Sequence, residues 1–336
     1  MKARLLIVTG VLAAGIGVAG PLAATANAQK ATSSSWSAPR TPWGHPDLQG
    51  TWTNATATPL ERPKELEGKQ VLTDEELAER GPQVARQNST DNVPETTMPV
   101  GSHNEFWRER GGLGKRTSLL VDPPDGKLPP LTPEGQKART QLTAARKAGP
   151  ADGPESRNLF ERCITRGLPG AMMGNFYNHN YQILQTPGYV AVVVEMIHDV
   201  RIIPLDGRPH VGGQIRQWLG DSRGRWEGNT LIVETTNLNN IGDVATSRML
   251  GPVLFGTSAT ARVIERFTRL AADTIDYQVT VDDPATYTRP WTAAIPMTKL
   301  QGTLFEFACH EGNYGMFGIL AGQRAEEKAA EAAKRK

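Results

Sequence analysis

The sequence predicts an all-β fold, an antiparallel meander forming a barrel or sandwich, with an irregular N-terminal arm carrying short helices. Two observations carry this reading. From residue 181 onward, eight or so runs rich in β-branched and aromatic residues follow one another, separated by turn signals such as Thr186-Pro187-Gly188 and Asp206-Gly207, with no helical pattern between them. The chain as a whole carries 24 Pro and 34 Gly, many of them before residue 160, which suits long loops laid over a core built elsewhere.

Taken in order, the chain begins with the basic residues Lys2 and Arg4, an apolar stretch from 5 to about 20, and the small residues of Ala26-Asn27-Ala28. This tripartite pattern predicts a secretory signal, residues 1–28, cleaved between Ala28 and Gln29. The apolar run falls short of the ~20 residues that cross a bilayer. Nothing later approaches a membrane span, so the expected product is an exported protein, periplasmic or extracellular. Losing Lys2 and Arg4 from 37 basic residues leaves 35 against 35 acidic ones, and no basic excess supports nucleic-acid binding.

Residues 29–40 are serine-rich and read as a disordered leader. The arm, 41–158, opens with a strand at 48–53 that belongs to the barrel. Thr73 and Glu76 then form a capping box before a helix at 74–80, stopped by Gly81-Pro82. Small apolar islands follow at 103–107 and 117–121, and a second helix at 133–147 has Thr132 as N-cap and Pro133 at its first position. The arm has too few apolar residues for a core of its own and is expected to wrap another surface. In the core, 159–319, strands are expected at 181–185, 189–196, 200–204, 230–236, 261–269, 274–281, 291–297 and 303–309. The Gly220–Gly228 stretch reads as a turn with Trp226 packed over its arginines. A charged helical tail, 320–336, closes the chain.

Alternation places Ala261, Val263, Glu265 and Phe267 on one face, and Tyr189, Ala191, Val193 and Glu195 on another. Glu306, Ala308 and His310 share a face of the last expected strand. A carboxylate in an inward row is either functional or paired, for instance Glu265 with an arginine such as Arg201. Cys163 and Cys309, the two cysteines of the chain, have one connectivity open to them in an oxidising compartment; two unrelated buried thiols are the other reading.

Three segments concentrate polar chemistry: Arg162 through Tyr181, Glu195 through Arg201, and Glu306 through Tyr314. A bridge between the cysteines brings the first and third together. On one reading His179 or His310 is a general base, Glu195 orients it and Arg201 or Arg166 holds an anionic substrate, with Tyr177, Asn178 and Asn313 as further substrate-binding groups. On another, His179, His310 and Glu311 hold a divalent metal and leave a position for water. No motif requires a cofactor. On a third, these groups only bond loop backbones around the bridge. No Gly-x-Ser-x-Gly elbow and no phosphate-cradling loop is present.

Thr41-Pro-Trp-Gly through Trp52, Tyr177-Asn-His-Asn-Tyr181, Gly220 through Gly228, Asp283 through Trp291 and Cys309-His-Glu-Gly-Asn313 resemble a family of exported bacterial proteins of unassigned activity. The resemblance covers nearly all the mature chain and implies one coherent domain; His45 stands where an aspartate is more usual. Gly50-x-Trp52 also looks like the opening of calycin barrels such as lipocalins, where a tryptophan closes the barrel base against an arginine from the last strand. The function classes that remain are an acid–base enzyme acting on a small or oligomeric polar substrate, a non-catalytic ligand-binding β-barrel, and an envelope structural protein.

Overall fold

The computed structural model describes residues 36–89, 91, 108, 109, 111–148, 152–174, 177–239, 243–247, 251–255 and 258–335. The signal, most of the leader and the 103–107 island lie outside them. Its strands are β1 (Gly50–Thr53), β2 (Leu120–Asp122), β3 (Asn180–Gln185), β4 (Tyr189–Val194), β5 (Val200–Pro204), β6 (Asp221–Glu227), β7 (Thr230–Thr236), β8 (Asp243–Ser247), β9 (Gly251–Phe255), β10 (Arg262–Ala271), β11 (Thr274–Asp282) and β12 (Trp291–Lys299). The helices are α1 (Asp74–Asn88), α2 (Pro133–Ala148) and α3 (Tyr314–Lys334).

Nine strands follow the order β5-β4-β3-β1-β12-β11-β10-β7-β6, each ladder antiparallel, and β2 adds to the end of β12 that β1 leaves open. The arm therefore contributes two short strands to the barrel. β8 and β9 form a separate hairpin. The path ends at β5 and β6, which come side by side and leave the barrel nearly closed. There Arg201 reaches Ser222 at 3.4 Å, and a Cβ on Gly224 would meet Ile203 and Leu205 at 2.8 and 2.7 Å. The two strands thus run in the same direction along a seam with no ladder, so close that only glycine fits at 224.

Inward rows meet in one core: Ile183, Val192 and Ile203, then Val233, Phe267, Tyr277 and Ile295, with Trp52 and Trp291. The barrel interior is thus filled by side chains, with Phe267 and Tyr277 in ring contact at 4.8 Å. Leu48, Leu60, Leu119, Met172 and Met173 of the preceding segments pack onto it. Arg62, buried in the arm, donates from Nε to Thr117 and from its terminal nitrogen to the Pro124 and Asp125 carbonyls, which pins the arm to itself. At the barrel end Trp52 Nε1 donates to the Leu48 carbonyl, and the Arg269 guanidinium lies 5.5 Å from the Trp52 ring.

Several sequence expectations need correction. The inward row of β10 is as read, but in β4 the buried row is Val190, Val192 and Val194, while Tyr189 is 41% exposed. That strand is apolar on both faces, and register against Ile183 and Arg201 decides between them. Residues 303–309 form no strand. The edges of β12 are already taken by β11, β1 and β2, so no ladder is open to this segment and Phe305 lies largely in solvent. The stretch after Gly220 is strand β6, and its turn is at Gly228-Asn229. Helix α1 runs through Pro82 to Asn88: both halves of the capping box form, and Gly81, lacking a Cβ, relieves the clash that keeps a residue before proline out of a helix. Helix α3 starts at Tyr314, six residues before the expected tail at 320–336.

Candidate functional site

At one end of the barrel, the chain entering β3, the β4–β5 turn and the segment after β12 converge on the Cys163–Cys309 disulfide. The three polar segments do meet there. Asn180, at the head of β3, donates its side-chain amide to Glu195 Oε2 at 2.5 Å and to Glu109 Oε2 at 3.1 Å. The Asn178 N–H also donates to Glu109, and the Phe305 N–H to Glu195 Oε1 at 3.0 Å. One amide thus bridges two carboxylates, and burial together with the charge of Glu195 raises the Glu109 carboxyl above its ordinary value.

His179 is 1% exposed, with Nε2 3.4 Å from the Arg166 guanidinium. Arginine only donates, so Nε2 accepts and the proton sits on Nδ1, which has no partner among the described residues. Burial first, then the Arg166 charge, hold this imidazole well below its usual value, so it is neutral. Tyr177 packs on Phe307 at 6.5 Å, and burial raises its hydroxyl. His198 is exposed and donates from Nδ1 to the Phe307 carbonyl at 2.9 Å. The backbone is left-handed at Cys163, Asn178, Ile197 and His198, an unusual concentration of non-glycine residues in that region and, for β-branched Ile197, a costly one.

Asp199 follows this turn and faces the other way. It lines a cleft of about 540 Å³ at the β5–β6 seam, with Arg201, Arg216, Gln217, Trp218 and Asn239. Thr165 donates to Asp199 Oδ2 at 3.3 Å from the disulfide segment, and burial raises the carboxyl to about 6. Across the cleft Asp221 is also desolvated, yet the Val211 N–H, His210 and Arg223 outweigh burial and hold it below the ordinary carboxylate range. The loop between β5 and β6 is built: Asn237 donates to the carbonyls of Val211, Gly212 and Ile215, and Arg216 to those of Leu238 and Ala259. Trp218, 40% exposed, is left facing solvent.

Comparison with protein-family models, with curated proteins and with solved structures finds no match. The geometry alone therefore sorts the residues. His179, Glu195, Arg166, Tyr177 and Asn178 come together at the disulfide end. Arg201 does not join them; its guanidinium pairs with Glu265 inside the barrel, where Tyr277 also donates to Glu265 at 3.0 Å. The ion-pair reading of Glu265 is the one realised. His310, exposed, and Asn313 line a separate cavity against α3, and Glu311 is exposed. Among the described residues no group of three His, Cys, Asp or Glu side chains is placed to hold a metal ion, so His179, His310 and Glu311 do not form a ligand set. Sequence reasoning missed Glu109, whose partners lie about 70 residues away, and did not select Asp199 or Trp218. The apolar turn Met196-Ile197 before His198-Asp199 is the one local sign that the β4–β5 connection is unusual.

Proposed function

We propose that the protein is an exported acid–base enzyme acting on a polar, hydroxyl-bearing substrate in the seam cleft, with Asp199 as its proton donor and acceptor. One observation carries this: a carboxyl that ionises near 6 lines an open cleft and is held by Thr165, while Asp221 at the same end of the seam stays ionised. Carboxyls driven apart in this way take opposite roles in proton transfer. Trp218 offers a flat apolar face to a ring, and Gln217, Asn239 and Arg216 supply hydrogen-bonding groups around it. In this reading the His179, Glu195 and Asn180 cluster holds the β4–β5 turn in its left-handed conformation and so positions Asp199.

Export rests on the Lys2 to Ala28 pattern. The disulfide agrees with an oxidising compartment. Among the described residues no helix is long and apolar enough to cross a membrane. Membership of the exported family rests on the motifs quoted above. The arginine that packs on Trp52, Arg269, comes from β10 rather than from the last strand, so the contact meets the calycin pattern only in part.

The test is a panel of 4-nitrophenyl glycosides, esters and phosphates on mature protein. One class is expected to be turned over with a rate that inflects near pH 6, and Asp199→Asn is expected to lose about 100-fold or more. Turnover unaffected by Asp199→Asn would sink the assignment. If no member is turned over while Trp218 fluorescence responds to a sugar or other polyol, the molecule is the ligand-binding barrel.

A further inference from the structure

A second cavity, of about 570 Å³, lies between α3 and the segment leading to Cys163. Its size falls within the roughly 300–1,000 Å³ of small-molecule sites. One wall is Met316, Leu320 and Arg324, four residues apart along one face of α3, with Phe317 beside them. The opposite wall is Arg162 and Ile164, which flank Cys163 on the chain.

Met316 and Leu320 form a buried cluster of their own, apart from the barrel core, and Phe317 is 83% exposed. This apolar face therefore contributes nothing to the barrel. Yet the helix is clamped over it: Asn313 donates to the Glu161 carbonyl, Arg157 to Gln323, and Arg324 to the Asp152 carbonyl, while the disulfide fixes the chain just before the helix. The cavity is thus preformed, which lowers the ordering cost of binding.

Its charge is one-sided. Arg162, Arg324 and His310 line it and no Asp or Glu does. The nearest acid on the wall segment, Glu161, is committed to Arg157 through two contacts of 2.9 Å. The Arg162 guanidinium makes no hydrogen bond or ion pair among the described residues. A planar donor fork at the rim of an apolar slot matches a carboxylate whose hydrocarbon part lies in the slot.

We infer that this cavity binds an amphiphilic monocarboxylate, an anion with a medium-length apolar tail, at a site distinct from the seam cleft. The carboxylate meets Arg162 and the tail lies along Met316, Phe317 and Leu320. A free fatty acid and a short apolar peptide ending in a carboxylate present the same chemistry, and the assay separates them.

The experiment is calorimetric titration of mature, disulfide-intact protein with decanoate, decanol, decyltrimethylammonium and the tripeptide Leu-Leu-Leu. Decanoate or the tripeptide is expected to bind at one site at least tenfold more tightly than the neutral and cationic chains, the tighter of the two naming the source. Arg162→Gln is expected to remove that preference. Equal affinity for decanoate and decanol, or no binding of either anion, would overturn the inference from the unmodified protein alone, so it stands or falls even where a variant misfolds. Methyl spectra of methionine-labelled protein supply the location: perturbation of Met316 supports the site, and perturbation confined to other methionines refutes it. Because Asp199→Asn leaves this cavity intact, decanoate affinity should be unchanged in that variant, and failure of the enzymatic reading does not bear on it.

Discussion

Replacing Glu265 by glutamine should be among the most damaging conservative changes in the barrel. Its side chain is 0% exposed and that of Arg201 is 2% exposed. Glu265 takes both terminal nitrogens of Arg201, one at 2.8 Å, as well as the Tyr277 hydroxyl. Glutamine keeps the shape and can still accept from Tyr277, but it leaves an uncompensated cation in the interior. Breaking a buried pair from one side costs about 3–5 kcal/mol. In a chain of this size that corresponds to a fall in Tm of roughly 5–8 °C. Urea and thermal unfolding followed by circular dichroism on disulfide-intact protein measure it, with the slope on denaturant unchanged. The double change Arg201→Met with Glu265→Leu removes both charges and should recover most of that loss, because packed apolar groups replace a buried pair without a desolvation cost; the Tyr277 hydroxyl, left without its acceptor, keeps it about 1–3 kcal/mol below wild type. A loss below about 1 kcal/mol for Glu265→Gln would refute the reasoning: Arg201 would then be hydrated from the seam cleft it also lines, and the barrel would be open there in solution.

Two further outcomes follow from the disulfide end. Reduction, or a Cys163→Ala with Cys309→Ala change, opens a loop with a sequence separation of 146 and should cost up to about 5 kcal/mol in urea unfolding; a wild type insensitive to dithiothreitol would mean the bridge is not formed. His179 is held neutral in the fold, so the unfolded chain takes up its proton first, and stability should fall as pH drops below about 6.5. His179→Gln should flatten that fall while leaving the slope above pH 7 as it was, and identical slopes in both proteins would show that the imidazole charges without penalty.

The strands were legible where one face of a run was polar. In β10, Arg262, Arg266 and Thr268 alternate with Val263, Glu265 and Phe267, and the inward row followed directly. β4 is apolar on both faces, and only its partners say which face is inward. β6 was hidden for the opposite reason: Asp221-Ser222-Arg223-Gly224 has turn composition, and it is a strand because Gly224 lets the seam close and Arg201 needs Ser222 beside it. A seam is a property of the closed sheet, so no local pattern announces it. The hairpin of β8 and β9 was missed as well.

The site divides along the same line. Two cysteines permit one intramolecular bridge, and that bridge alone brings the first and third polar segments together, whatever the strand order. What the bridge does not determine is which side of each segment faces the other. Glu195 and His179 turn inward because the β4–β5 turn hydrogen-bonds back to Asn180, whereas Asp199, four residues on, emerges at the seam. His310 is one residue past the bridge and faces the helix side. Proximity along the chain therefore put four candidate groups near one another, and strand direction sent them to three places: a buried end, an interior ion pair and a cavity beneath α3. The group left beside open space with a perturbed ionisation is Asp199. For that reason the acid–base chemistry we propose lies in the cleft rather than in the more conspicuous cluster of histidine and glutamate behind it.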